Sequence, residues 1–207
     1  MTSAATFWDK AAPKYAESTI SDLEGYRDTL AITIRHLSAT DRVLELGCGT
    51  ASTALEVAPH VAEVTATDIS TAMIDIGREK VWNAGIRNVE LKTADVTDAA
   101  LMQGAPYDVV LALNLLHLLP EQEAALAHIH RLLKPGGLLI SKTACIGEKW
   151  FFRPIVAVLR AFGKAPFVTH QRREDLRDAM SIAGFEPVEE LVQTGTPARL
   201  FSIVRKI

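Results

Sequence analysis

The chain is short of cysteine, of excess basic charge and of long apolar runs, and each shortage excludes something. Two cysteines occur in 207 residues. Cys48 and Cys145 are far apart and lack CxxC spacing, so no disulfide framework is expected and a reducing compartment is the default. Lys and Arg number 22 against 25 Asp and Glu, a net charge of -3. That balance supplies no electrostatic footprint for nucleic acid, so no nucleic-acid partner is expected. The strongest apolar run, Val109 to Leu119, is broken by Asn114 and His117. It falls short of the roughly 20 residues that span a bilayer. Met1 to Lys10 lacks a basic segment followed by an apolar one, so no signal peptide is expected. A soluble, cytoplasmic protein follows from these points.

What is present is alternation. Val43–Leu46, Val64–Asp68, Val89–Thr93, Tyr107–Leu113 and Leu138–Thr143 are short, β-branched or leucine-rich segments bounded by turn residues, and read as buried strands. Helical patterns over Ser52–Ala58, Thr71–Ala84 and Glu121–Leu133 separate them. Gly85 and Pro135-Gly136-Gly137 read as stop signals. This order implies right-handed crossovers and an α/β fold, a doubly wound, mostly parallel sheet covered on both faces. A further helix over Arg173–Ala183 precedes two strands, Pro187–Gln193 and Ala198–Lys206. They are joined through Thr194–Pro197 as an antiparallel hairpin at the sheet edge. The length suits a single domain over 1–207. Residues 1–40 form a helical cap, and 147–170 an insertion placed to act as a lid over the strand ends.

The sharpest local feature is Val43-Leu44-Glu45-Leu46-Gly47-Cys48-Gly49-Thr50, a strand running into a glycine turn that opens a helix. Glycine lets a ligand approach the backbone closely. A dinucleotide enzyme uses the same geography, yet the GxGxxG spacing fails because Ser52 holds the third position. Glu45 would repel a pyrophosphate, whereas a ligand carrying an ammonium and a sulfonium has no such conflict. Asp68, about 20 residues on, ends the second strand where an acid accepts ribose hydroxyls in either class of ligand.

Together these residues resemble the class I S-adenosylmethionine-dependent methyltransferase family. The resemblance extends through Thr67-Asp68-Ile69-Ser70, Met73, Ala94-Asp95-Val96, Tyr107-Asp108-Val109-Val110 and Leu133-Lys134-Pro135-Gly136-Gly137. Phe7-Trp8-Asp9-Lys10 with Tyr15-Ala16 is similar to the small-molecule branch that includes quinone C-methyltransferases. The resemblance implies a seven-stranded Rossmann-like sheet, S-adenosyl-L-methionine as cofactor and S-adenosyl-L-homocysteine (SAH) as product. It implies Gly47, Cys48 and Gly49 around the methionine part, with Glu45 near its amino end and Asp68 on the ribose. Ile69 and Val96 would sandwich the adenine, with Met73 nearby, and Asp95 would accept from its exocyclic amine. Asn114 and Leu115 would offer backbone groups to the methionine amine. Separately from the resemblance, Tyr15 and Trp8 read either as closing over the cofactor or acceptor or as core packing of the N-terminal helices. Ala51 departs from the pattern, standing where many members carry a third glycine.

Methyl transfer from a sulfonium is an in-line displacement, for which alignment and exclusion of water matter most. A general base is needed only where the acceptor must lose a proton. His117, just past the fourth strand, is the catalytic candidate; packing against or capping the following turn is the alternative. His170 is a weaker base candidate. His128 and His130 are expected on a helix surface and lack a third metal ligand, so no metal site is expected. The fourth strand does not end in Asn/Asp-Pro-Pro-Tyr/Phe, and no Pro-Cys nucleophile is present, which favours a small organic acceptor over a nucleobase. Phe151, Ile155, Val158, Leu159 and Phe162 recur at helical spacing beside Lys149, Arg153, Arg160 and Lys164. This pattern fits either a packed lid helix or peripheral membrane contact. Two other function classes stay open: a NAD-dependent oxidoreductase and a non-catalytic S-adenosylmethionine-binding protein. Acceptor identity and oligomeric state are not legible.

Overall fold

The computed structural model describes residues 3–18, 22–193 and 195–207. Two N-terminal helices come first, α1 (Ala4–Glu17) and α2 (Leu23–Arg35). The central unit is β1 (Arg42–Leu46), α3 (Ser52–Val57), β2 (Glu63–Asp68), α4 (Thr71–Asn83), β3 (Val89–Thr93) and β4 (Tyr107–Leu113). It continues through α5 (Gln122–Leu132), β5 (Leu133–Ala144), α6 (Phe152–Ala161), α7 (Arg173–Ile182), β6 (Phe185–Gln193) and β7 (Arg199–Lys206).

All seven strands enter one sheet in the order β3-β2-β1-β4-β5-β7-β6. The first five are parallel; β7 runs antiparallel between β5 and the edge strand β6. The two C-terminal strands thus pair as the hairpin expected from sequence, although Thr194 of their connection lies outside the described residues. Strand order reverses at β1, whose neighbours are β2 and β4. A crevice opens at such a switch point, beyond the carboxyl ends of the strands.

Side chains alternate across a strand, so consecutive residues feed different cores. Leu44, Leu46, Val110 and Leu139 pack with Leu126, Ile129, Leu176 and Met180 of α5 and α7. Val43, Val64, Val109, Ile140 and Phe201 point the other way, toward Ala54 and Val57 of α3, Ile74 of α4 and Ile32 of α2. The buried strands therefore read as near-continuous apolar runs, as a sheet covered on both faces requires.

Three expectations change. Pro135-Gly136-Gly137 does not sit between helix and strand but within β5, where the register jumps from Tyr107↔Leu133 to Val109↔Leu138. Extra residues on one strand are absorbed as a local irregularity of this kind. His128 is buried at 4% exposure, and His130 stacks edge-on against Phe185 at 5.3 Å. His128 falls among the buried positions of α5 with Ala125, Leu126, Ile129 and Leu132, and His130 is partly buried. Among the described residues, no helix is long and apolar enough to cross a membrane.

Helix α4 approaches the loop after β1 through Gly77, where a Cβ would lie 3.1 Å from the Ala51 methyl and 3.3 Å from Leu91 Cδ1. Gly77→Val should destabilise the protein by about 1–3 kcal/mol through overpacking. An unchanged chemical-denaturation midpoint would contradict this close approach.

Candidate functional site

The turn after β1 holds three left-handed residues in five, Gly47 (φ 66°), Gly49 (φ 53°) and Ala51 (φ 61°). Such a backbone favours glycine, and at Ala51 it costs about 1–2 kcal/mol. At Gly47 space is a second reason, since a Cβ would stand 2.7 Å from Leu115 Cδ1. The turn is held from β2. Cys48 N–H donates to the Thr67 carbonyl at 2.9 Å. Asp68 Oδ2 accepts from Gly49 N–H at 2.9 Å, and its Oδ1 accepts from Ser70 N–H at 2.9 Å. An ionised carboxylate has about four acceptor positions, so Asp68 keeps capacity for two further donors.

The N-terminal cap is stitched to the same place. Asp9 on α1 accepts from Ser70 Oγ–H at 2.7 Å and from Ala72 N–H at 3.2 Å. A carboxylate at the start of α4 also meets the positive end of that helix. These bonds hold the Asp9 carboxyl below its usual range. They place α1 so that Tyr15 lies over the turn, with Cε1 3.5 Å from where a Gly49 Cβ would stand.

The cavity at the switch point has a volume of about 580 Å³. Glu45, Gly47, Cys48, Gly49, Asp68, Ile69, Met73, Asp95, Val96, Asn114, Leu115 and Tyr15 all line it. His117 is not among the lining residues. Its Nδ1 is buried without a hydrogen-bond partner among the described residues, and its carbonyl accepts from Thr169 N–H at 2.8 Å. Burial, with the Arg199 charge adding, pushes its pKa down to about 4. A neutral imidazole off the cavity wall is placed for packing, so the catalytic assignment of His117 is not carried forward. No residue of 147–170 lines the cavity either; the cover comes from α1 and α2, and that insertion instead anchors the β4 loop through Thr169.

The wall near β1 and β2 carries buried and partly buried acidic groups. Glu45 is 3% exposed and its Oε2 has no hydrogen-bond partner among the described residues. Burial raises its pKa to about 8, with Ala54 N–H opposing and Asp68 adding to the rise. Burial also raises Asp68, against the two N–H groups it accepts from. Tyr15 is raised by burial and by both carboxylates. Cys48 Sγ is pushed well above its ordinary value by burial, so it is an unreactive thiol. Asp95, exposed beyond β3, accepts from Thr97 N–H and Oγ1–H at 2.9 Å.

Sequence reading missed a second set of lining residues, Tyr26 and Thr29 of α2, Lys142 of β5 and Arg199 of β7. One signal was available. Lys142 interrupts the buried run Leu138-Leu139-Ile140-Ser141-Lys142-Thr143-Ala144, and an unpaired lysine is rare there. Arg199 carries no such signal, because only the antiparallel insertion of β7 beside β5 brings it to the cavity.

Comparison with known proteins was consistent with this geometry. A family model described as a methyltransferase domain matches residues 43–137, the stretch from β1 to the bulge in β5. A ubiquinone biosynthesis O-methyltransferase of Xylella fastidiosa is 30% identical over 138 residues, 67% of this chain and 56% of that protein. A highly reducing polyketide synthase of Alternaria alternata is 33% identical over 149 residues, 65% of this chain but 6% of that much longer protein. The chain thus spans about half or less of these curated relatives. Among solved structures, magnesium protoporphyrin IX methyltransferase from Synechocystis PCC 6803, with bound SAH, superposes with a TM-score of 0.73 at 17% identity, covering 98% of this chain and 95% of that one. With the glycine turn, the acid ending β2 and the antiparallel β7 in their expected order, residues 43–137 match a methyltransferase domain, and the chain is similar to S-adenosylmethionine-dependent methyltransferases in sequence over that stretch and in fold.

Proposed function

We propose that the protein binds S-adenosylmethionine at the β1–β3 end of its cavity and transfers the methyl group to a small organic acceptor. The observation that carries the reading is Glu45, a buried carboxylate on the wall with an oxygen that nothing described satisfies. Protonated below about pH 8 in the free protein, such a group is drawn to its ionised form by a cationic ligand and gains nothing from a pyrophosphate, which disfavours the dinucleotide alternative. Gly47 and Gly49 leave backbone open to the methionine part, and Asp68 has two acceptor positions free for ribose hydroxyls. Ile69 and Val96 offer apolar faces to an adenine, with Asp95 at its edge. Asn114 and Leu115 border the methionine end. When bound, the cofactor supplies an electrophilic methyl on a sulfonium with a good leaving group. What remains for the chain is to align an acceptor and keep water out, and α1 with Trp8 and Tyr15 is placed to do so. Two buried cysteines, both free, support a reducing, cytoplasmic setting.

Calorimetry should show binding of SAH, and Asp68→Ala should weaken it at least tenfold, about 1.4 kcal/mol. Unchanged affinity would remove Asp68 from the site.

Glu45 gives a pH signature. Its folded pKa of about 8 lies above the ordinary 4.5. Its contribution to stability is therefore fully present below pH 4.5 and is lost as pH rises through 8. The Tm of Glu45→Gln should gain on that of the wild type across this window. A difference that stays constant or shrinks would show that Glu45 is ionised in the free protein.

A further inference from the structure

Beyond β4 the cavity changes sign. In the β5–β7 register Lys142 lies opposite Phe201 and Ala144 opposite Arg199, so Lys142 and Arg199 are diagonal neighbours on the sheet face that α2 covers. Both line the cavity. Lys142 also pairs with Leu113 at the end of β4, and its carbonyl accepts from Asn114 N–H at 2.7 Å. The two cations therefore stand across the switch point from the glycine turn, where an acceptor would face the cofactor.

Lys142 is 6% exposed, and its Nζ donates only to neutral oxygens, the Gly25 carbonyl at 3.2 Å and Thr29 Oγ1 at 3.0 Å. An ammonium has three N–H donors, so one is unassigned among the described residues. Gln193 Nε2 donates to the same two oxygens at 3.0 and 3.1 Å. The tie between α2 and the sheet thus exists without a buried charge, and a lysine kept here only for that tie would carry a desolvation penalty for nothing. Arg199 approaches Asp22 Oδ2 at 3.6 Å and makes no side-chain hydrogen bond among the described residues. Asp22 also caps α2 by accepting from Gly25 N–H at 2.9 Å. Burial and the Arg199 charge lower the Lys142 pKa, while Asp22 and the exposed Asp28 oppose them. Set against Asp22, the pair leaves one positive charge in the wall.

We propose that Lys142 and Arg199 form a recognition site for a carboxylate on the methyl acceptor, so that the substrate is a small organic acid. This inference rests on the methyltransferase reading for the neighbouring half of the cavity. One excess positive charge matches a monoanion better than a phosphate dianion, and a guanidinium beside an ammonium matches the planar fork of a carboxylate.

The test is calorimetry on the full chain saturated with SAH, using benzoate as probe, benzamide as its neutral isostere and inorganic phosphate as dianion. Benzoate should bind at least tenfold more tightly than either. Lys142→Met should lower benzoate affinity at least tenfold while leaving benzamide and SAH within twofold. Arg199→Gln should act in the same direction, which keeps the test decisive if Lys142→Met folds poorly. Equal affinity for benzoate and benzamide, tighter binding of phosphate, benzoate affinity that survives both substitutions, or no benzoate binding would each overturn the site. Absence of SAH binding to the wild type would instead overturn the cofactor reading, and benzoate titrated without SAH still reports on Lys142 and Arg199.

Discussion

The Asp68 carboxylate, gripping Gly49 N–H and Ser70 N–H at once, is the constraint on which the rest of the site depends. It fixes a turn whose backbone is left-handed at Gly47, Gly49 and Ala51, and it sets that turn against the start of α4. From there the chain of dependence runs outward. Ser70 bonds Asp9, Asp9 positions α1, and α1 lays Tyr15 over the turn. A short acidic side chain at the end of β2 thus shapes both the floor of the cavity and its cover. Its desolvation is partly offset by charge-assisted hydrogen bonds, which are stronger than neutral ones.

The strand ends that border the cavity change sign across the sheet. On the β1–β3 side the strand ends carry Glu45, Asp68 and Asp95; on the β4–β7 side they carry Lys142 and Arg199. A ligand with a cationic centre and an acceptor with an anionic group would each meet the complementary wall. Like-signed ligands would meet a repulsive one, and repulsion of that kind contributes to specificity as much as attraction does.

Sequence legibility followed contact range. The parallel strands, α3, α4, α5 and α7 were readable because apolar runs, stop signals and turn residues are local. Glu45, Gly47, Gly49 and Asp68 stood out locally, as a glycine turn after one strand and an acid ending the next. Cys48, Ile69, Met73, Asp95, Val96, Asn114 and Leu115 came from the family resemblance, and Tyr15 from its aromatic character near the N-terminus. Their convergence in one cavity is what the structure shows; their individual contacts with a cofactor are the proposal. His117 misled because proximity in sequence to the end of β4 does not fix side-chain direction. His117 is absent from the cavity lining, and its backbone is held by Thr169. His128 misled because it shares the buried face of α5 with Leu126, Ile129 and Leu132, and His130 because it packs edge-on against Phe185 from the later strand β6. Arg199 was invisible because its place is set by long-range antiparallel pairing, whereas Lys142 announced itself as a charge inside a buried strand.

The most direct test of the central claim is a crystal structure of the protein with SAH. The account predicts the adenine between Ile69 and Val96, both ribose hydroxyls on Asp68, and the sulfur facing the space that Lys142 and Arg199 border. A ligand lying elsewhere, or with its ribose out of reach of Asp68, would contradict it.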